Sequence, residues 1–177
     1  MGLRQIRKDN DPLLLKKSRE IKEVNDRILN LLGDMVETMY HENGIGLAAP
    51  QVGVLRRCFV VDIGDGNVYK IINPEIIEKS ETTSVDIEGC LSIPNYNCTV
   101  ERSETVKMKY TDTKGKEQII EADGLLARCL LHEYDHLDGV LITSKAIEVV
   151  TEENIDDIRE KYDLYSDEEE QEVEEEK

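Results

Sequence analysis

Two hydrophobic periodicities run along this chain, and each predicts a different kind of secondary structure. In residues 11–37, leucine and isoleucine recur at roughly helical spacing with charged residues between them, which predicts an amphipathic helix. Pro12 suits the first turn of that helix. Residues 43–53 are rich in glycine and nearly uncharged, so we expect an irregular segment between the helix and the first strand.

Strands are predicted where apolar and polar residues alternate, or where turn residues bound a short apolar run. In residues 105–110, apolar side chains fall on one face and two lysines on the other. The Asn73-Pro74 pair is expected to end the second strand, because proline cannot donate a ladder hydrogen bond. The predicted strands cover residues 54–63, 68–72, 105–110, 116–121 and 140–142.

A second helix is predicted over residues 123–137, with Asp123 as its N-cap and Gly139 as its stop. A last helix is expected over residues 151–165. One face of the second helix carries Leu125, Cys129, His132 and His136. The histidines are therefore expected to lie among apolar side chains. This order of elements predicts an α+β fold, with mostly antiparallel sheets around this central helix and one further helix towards each terminus.

Charge divides the chain into two parts. The 177 residues carry a formal net charge of −17, and residues 151–177 contribute 14 Asp/Glu against 3 Lys/Arg. We therefore predict one working domain over residues 1–150, followed over residues 151–177 by the helix and an acidic tail that is disordered from residue 167. Such a surface argues against direct nucleic-acid binding.

Cysteine usage and the lack of long apolar runs indicate a cytoplasmic protein. No apolar run resembles a signal peptide, and none approaches the ~20 residues of a membrane helix. Thiols in that compartment are usually reduced, so each cysteine is expected to fill the core or bind a metal rather than form a disulfide. The cysteines are Cys58, Cys90, Cys98 and Cys129.

The segment His132-Glu133-Tyr134-Asp135-His136 carries the clearest chemical signal. Histidines four residues apart on a helix lie one turn above each other, so both imidazoles can reach one metal ion. Glu133 is placed to act as general base on water at such a site. Hydrolysis is therefore the first hypothesis for the function of the chain.

Three sources could supply a third metal ligand. His41 follows the first helix in a polar setting, where we expect it to be exposed. Carboxylates after His136 are numerous, and one could complete the site as in many zinc peptidases. Cys90 lies in a Glu-Gly-Cys-Leu-Ser turn, where its thiolate could point towards the helix.

Three segments together resemble the signature motifs of the bacterial-type peptide deformylase family, in the order of that family. They are Gly44-Ile45-Gly46-Leu47-Ala48-Ala49-Pro50-Gln51, Glu88-Gly89-Cys90-Leu91-Ser92 and His132-Glu133-Tyr134-Asp135-His136. The resemblance implies that Cys90, His132 and His136 bind one divalent metal. In the family this metal is usually Fe²⁺, with Zn²⁺, Ni²⁺ or Co²⁺ as substitutes.

The same resemblance implies a reaction and roles for further residues. The expected function is removal of the formyl group from N-formyl-methionine at the N-terminus of newly synthesised proteins, with release of formate. Gln51 and the Leu91 N–H would stabilise the oxyanion, and Glu133 would protonate the leaving amine. The residues expected to bind the nascent peptide are Gly44, Ile45, Gly46, Leu125 and Cys129, with His132 also lining the methionine pocket.

The chain departs from the common family pattern in three places. Leu131 stands where glutamine often precedes the first histidine, and Asn95 stands where many members have glycine. Some members also have a basic C-terminal helix that docks on the ribosome, whereas this chain is acidic there. Transient ribosome association is consequently not expected to use that region.

Two other functional classes remain open. A general zinc peptidase would take its third ligand from a carboxylate between residues 148 and 160. A non-enzymatic protein with a structural metal would close the site with a fourth protein ligand.

Overall fold

The computed structural model describes residues 2–164, which form an α+β fold with two antiparallel sheets. The helices are α1 (Asp26–His41), α2 (Gly124–Leu137) and α3 (Ile155–Tyr162), and short 3₁₀ helices cover Pro12–Leu15, Ala49–Val52 and Ile142–Ser144. The strands are β1 (Gly46–Ala48), β2 (Cys58–Val61), β3 (Tyr69–Lys79), β4 (Thr83–Cys90), β5 (Ile93–Ser103), β6 (Thr105–Thr111), β7 (Glu117–Asp123) and β8 (Val149–Val150). The predicted fold class is confirmed.

The larger sheet is covered by a helix on each face. Its strand order is β1-β2-β3-β6-β7, and every pairing is antiparallel. Successive residues of β2 point to opposite faces, so that Val60 packs in a cluster with α1 while Phe59 and Val61 pack in a cluster with α2. All four β2 residues are buried. The smaller sheet has the order β4-β5-β8 and forms a third cluster.

Helix α2 contacts both sheets and has the bounds that its sequence predicts. It starts after Asp123 and ends at Leu137, and most of its apolar residues are buried, although Leu125 is half exposed. Gly139 follows in the left-handed region at φ 71°, and its N–H bonds to the carbonyl of His136. A glycine in that conformation satisfies a free carbonyl at the helix end and turns the chain away.

The single helix predicted over residues 11–37 is wrong in its first half. After Pro12–Leu15 the chain runs extended, and α1 begins only at Asp26, capped by the side chain of Asn25. Ile21 falls at helical spacing, but its backbone N–H and C=O bond instead to the side chain of Asn73, at 2.8 and 2.7 Å. This long-range pairing outweighs the local periodicity.

The predicted strands differ from the observed ones in several places: β1 lies in a segment expected to be irregular, and β2 is shorter than residues 54–63. β3 does not end at Asn73-Pro74, because a register shift between Ile72 and Glu75 accommodates the proline, with Asn73 in the left-handed region at φ 48°. The long β4–β5 hairpin was not predicted as two strands. Residues 140–142 form no strand, and the chain enters a 3₁₀ helix at Ile142.

The C-terminal region is only partly described. The helix expected over residues 151–165 is shorter, at Ile155–Tyr162, and the predicted disorder of residues 167–177 lies outside the described residues. All four cysteines are free thiols. No helix within residues 2–164 is both long and apolar enough to cross a membrane.

Candidate active site

Three potential metal ligands converge where α2 meets the smaller sheet. Cys90 is the last residue of β4, whereas His132 and His136 lie one turn apart on α2. The His136 Nε2 atom is 3.3 Å from His132 Nε2 and 3.4 Å from Cys90 Sγ. These distances match the edges of a tetrahedron whose metal–nitrogen bonds are about 2.0 Å. The three side chains therefore fit a single tetrahedral ion with one position left for a small ligand.

The other third-ligand candidates lie elsewhere. The His41 side chain is 61% exposed and contacts the neighbouring Glu42. Among residues 2–164, no Asp or Glu joins the group formed by Cys90, His132 and His136. The described chain thus offers neither a downstream carboxylate for a conventional zinc-peptidase site nor a fourth protein ligand for a closed structural site.

Glu133 is buried beside this group, and its burial explains its raised pKa. Its carboxylate packs directly against Gly46 of β1, where no side chain would fit. Burial raises the pKa of Glu133 to about 7, and its Oε2 atom has no hydrogen-bond partner in the described chain. A carboxyl group with that pKa can both accept and return a proton at neutral pH.

The Gln51 side chain is held so that its amide nitrogen faces the ligands. The backbone N–H of Ala48 donates to Gln51 Oε1 at 2.9 Å, which leaves the Nε2 group as the inward end. That group donates to Ser92 Oγ at 3.1 Å and lies 3.5 Å from Cys90 Sγ. Gln51 is 1% exposed, so its amide is a fixed donor in a site shielded from bulk water.

A cavity of about 480 Å³ opens onto these groups. Ile45 and Leu125, each about half exposed, lie at its walls, while Cys129 is buried deeper. Burial raises the pKa of Cys129 to about 12, so this residue remains a neutral thiol. The cavity is lined by the five residues predicted to bind substrate, which are Gly44, Ile45, Gly46, Leu125 and Cys129. The residues predicted to be catalytic, Gln51, Leu91 and Glu133, line it as well.

Glu88 was not predicted as a functional residue, although it lies in the Cys90 segment. It accepts a hydrogen bond from His132 Nδ1 at 2.8 Å, which leaves Nε2 free to face the other ligands. Arg102 binds both Glu88 oxygens at 2.6 and 2.9 Å, and Arg128 binds one at 2.7 Å. Although burial opposes it, hydrogen bonds from His132 and Arg102 hold the pKa of Glu88 well below its usual range.

The two arginines carry no signal in the sequence. Arg102 lies on β5 and Arg128 on α2, far from Glu88 along the chain, and only the fold brings them together. The departures from the family pattern leave the ligands untouched. Leu131 packs in the apolar cluster around α2, and Asn95 takes the left-handed region at φ 59°, which asparagine tolerates.

The chain matches a family model at residues 3–152, described as polypeptide deformylase. It is 51% identical over 154 residues to a peptide deformylase of Finegoldia magna, which covers 86% of this chain and 95% of the relative. A peptide deformylase of Caldicellulosiruptor bescii is 51% identical over 163 residues, covering 92% and 97%.

Solved structures agree with these relatives. A crystal structure of a peptide deformylase from Thermotoga maritima has a TM-score of 0.80 at 42% identity, covering 82% of this chain and 99% of that one. A peptide deformylase from Ehrlichia chaffeensis in complex with actinonin has a TM-score of 0.81 at 36% identity, covering 91% and 98%.

Proposed function

Because this chain belongs to the peptide deformylase family, whose members are metalloenzymes, we propose that Cys90, His132 and His136 hold its metal ion. The chain removes the formyl group from the N-formyl-methionine of nascent proteins and releases formate. The proposal for the ligands is supported by the short distances between the Sγ and Nε2 atoms. When bound, the metal supplies Lewis-acid chemistry that polarises a carbonyl group and acidifies water.

The native metal in this proposal is Fe²⁺, with Zn²⁺, Ni²⁺ or Co²⁺ as substitutes. One thiolate and two imidazoles suit each of these borderline-soft ions. The Glu88 carboxylate supports the site from behind, because it fixes the ring of His132. We place the enzyme in the cytoplasm, where it meets nascent chains and associates with ribosomes only transiently, by surfaces other than its acidic C-terminal residues.

Glu133 is proposed to be the proton carrier. It takes a proton from the water that attacks the formyl carbon, and it later gives a proton to the amine that leaves. Its pKa of about 7 and its position in the cavity support this role, because both transfers must occur at neutral pH.

The side-chain amide of Gln51 and the backbone N–H of Leu91 are proposed to stabilise the oxyanion that forms during the attack. Gln51 supports this role because its nitrogen is oriented before the substrate arrives, so no reorganisation is needed during reaction. Leu91 directly follows Cys90 and lines the same cavity.

The peptide is proposed to bind along the edge of the larger sheet. β1 is the outermost strand, so one side of its backbone is free to pair with an added strand. A Cβ atom on Gly44 would lie 2.7 Å from Leu91 Cδ1, and one on Gly46 would meet the Glu133 carboxylate, so glycine at both positions lets Leu91 and Glu133 lie directly against this edge. The methionine side chain is placed against Ile45, Leu125, Cys129 and His132.

The observation that carries the proposal is that the buried Glu133 carboxylate lines the same cavity as Cys90 and His132, in a ligand set that leaves room for one small ligand. The test compares formyl-Met-Ala-Ser with its acetylated analogue, using anaerobically purified protein and a free-amine assay. We expect turnover of the formyl peptide alone. Glu133→Ala should lose that turnover by about 10²–10⁴-fold while it retains its metal.

Glu121→Ala provides the matched control, because that glutamate is 74% exposed on β7. It should leave the turnover unchanged. Equal hydrolysis of both peptides, or full activity in Glu133→Ala, would contradict the assignment. Cleavage of the bond after methionine would instead favour a general peptidase.

A further inference from the structure

A second cavity shares none of its lining residues with the active site. It is a groove of about 1010 Å³, bounded by the extended residues 19–25, the first turns of α1 and the loop at residues 53–56. We call it the basic groove, because five cationic side chains line it against only two carboxylates. The cations are Arg4, Arg19, Lys22, Arg27 and Arg56, and the carboxylates are Glu20 and Glu23.

Most of these cations form no ion pair within residues 2–164, and they outnumber the two carboxylates of the groove. Arg4 is paired with Asp34 at 2.9 Å. The other four cations are exposed, and within residues 2–164 none of them forms an ion pair, even with the two glutamates of the groove. The groove therefore presents free donors to an anionic ligand.

The backbone brings two of these cations side by side. Arg19 and Arg56 form an isolated parallel bridge, in which the Arg19 N–H bonds to the carbonyl of Leu55 at 3.1 Å. The Arg57 N–H bonds to the carbonyl of Arg19 at 2.8 Å. Like charges on directly neighbouring extended segments repel each other, and a bound anion would remove that repulsion.

The chain itself contains an anion of suitable length. Residues 165–177, which we call the acidic segment, carry eight Asp/Glu and one lysine. They lie outside the region that the family model matches, which ends at residue 152. Opposite charges on two parts of one molecule make the acidic segment a candidate for the groove.

The acidic segment is long enough to reach the groove. β8 pairs with Cys98, and Cys98 shares an apolar cluster with Leu14, which is only five residues before Arg19. From β8 the chain continues through α3, whose eight residues span about 12 Å. Thirteen further residues can span up to about 43 Å, which exceeds the radius of gyration of about 15 Å for a domain of this size.

We propose that the acidic segment binds in the basic groove of the same molecule. Exposed ion pairs are individually weak, but a tethered ligand has an effective concentration in the millimolar range, so weak pairs suffice. A free polyanion has no such effective concentration at the groove, and this favours the tethered acidic segment as the occupant.

The test is zero-length carbodiimide coupling of the full chain, followed by mass spectrometry of the linked peptides. Lys22 is the one lysine that lines the groove, so an amide between Lys22 Nζ and a glutamate of residues 165–177 reports docking. We expect these links to exceed those to exposed Lys114 by about tenfold, since three ordinary surface ion pairs together correspond to roughly that factor. Raising the salt to 0.5 M should remove the excess.

Two charge-reversal variants with the same change in net charge complete the test. Replacing the groove arginines by Arg19→Glu, Arg27→Glu and Arg56→Glu should abolish the excess of Lys22 links. The matched control, Lys79→Glu, Lys114→Glu and Lys116→Glu, reverses three exposed lysines that form no ion pair in the described chain. Because this control removes Lys114, its Lys22 links are compared with those to Lys70. The control should keep the excess of Lys22 links. The salt arm uses the unaltered chain, so the proposal can be judged even if a variant folds poorly.

Three outcomes would overturn the proposal. The first is that Lys22 links to residues 165–177 are no more frequent than Lys114 links. The second is that the links form between molecules, so that their yield rises with protein concentration, which would make a second copy the occupant. The third is that a short single-stranded oligonucleotide binds the groove of the full chain while the coupling detects no docking, which would make an external polyanion the occupant.

Discussion

Replacing Glu88 by glutamine isolates the contribution of one buried charge. The carboxylate of Glu88 is 6% exposed and accepts hydrogen bonds from Arg102, Arg128 and His132. Glutamine has nearly the same shape, but it carries no charge and turns an NH₂ group towards these donors. Two guanidinium groups, 3% and 9% exposed, then lose their shared counter-ion.

The structure sets the size of the expected loss. Breaking a buried ion pair by removing one partner costs about 3–5 kcal/mol, because the remaining charge is left uncompensated. Arg102 keeps a second pair with Asp135 at 2.9 Å, and Arg128 keeps the carbonyls of Val100 and Ser84 at 2.9 and 3.0 Å. We therefore expect the lower end of that range, about 3 kcal/mol in the free energy of unfolding.

The assay is urea unfolding of metal-loaded protein at pH 7, with metal affinity measured in parallel by competition with a chelator. The metal affinity of the variant should fall about 10–100-fold, since His132 loses the group that orients its ring. Glu75→Gln makes the same chemical change in an exposed pair with Lys109, where the glutamate is 66% exposed, and should cost at most about 1 kcal/mol.

The pH dependence provides a second check on the same residue. The pKa of Glu88 is lowered in the folded state, so its contribution to stability is fully present above its unfolded pKa of about 4.3 and is lost as the pH falls towards the folded value. The difference between the two proteins should therefore shrink below pH ~4. A loss at pH 7 no greater than that of Glu75→Gln, or a difference that does not change on acidification, would refute the reasoning.

Two further substitutions test other contacts. Gly46→Ala places a Cβ in the space of the proposed general base, so kcat should fall about 100-fold with metal retained. At Gly33 an added Cβ meets nothing within 4 Å, so Gly33→Ala should keep full activity and stabilise α1 by about 0.5–1 kcal/mol. Equal activities of the two variants would contradict the contact between Gly46 and Glu133. Hydrogen bonds from the Gly2 N–H and from Arg4 lower the pKa of Asp34, so Asp34→Asn should destabilise the protein by about 1 kcal/mol at neutral pH. Urea titrations should show this difference in stability vanishing as the pH falls below about 3.9, the pKa of an aspartate in the unfolded chain. A difference that persists at pH 2 would contradict the role of that carboxylate.

The sequence predicts α2 well because its signals are local. The apolar spacing, Asp123 before the first turn and Gly139 after the last one all act within a few residues of the helix, and the tertiary contacts of α2 agree with them. The N-terminal helix failed for the opposite reason. Ile21 continues the helical spacing, but Asn73 binds its backbone from more than fifty residues away.

The residues of the candidate site also differ in whether local sequence spacing can predict them. The spacing of His132 and His136 predicts a metal pair without any tertiary information, whereas Cys90 was one of three open candidates until the family resemblance singled it out. Nothing in the sequence connects Glu88 with Arg102 and Arg128, because side chains from two strands and a helix meet only after the sheets have formed. Ion pairs between residues on different elements leave no regular spacing in the sequence, so a sequence pattern cannot predict them.

The proposed metal ligands belong to separate layers of the molecule, so the proposed site forms only when both layers have assembled. Cys90 ends a strand of the smaller sheet, whereas both histidines lie on the helix that covers the larger one. A half-made chain that ends before α2 can contain Cys90 but neither histidine, whereas a chain whose smaller sheet has detached presents two imidazoles without the thiolate. Neither state holds all three proposed ligands, so under the proposed function hydrolysis requires the completed fold.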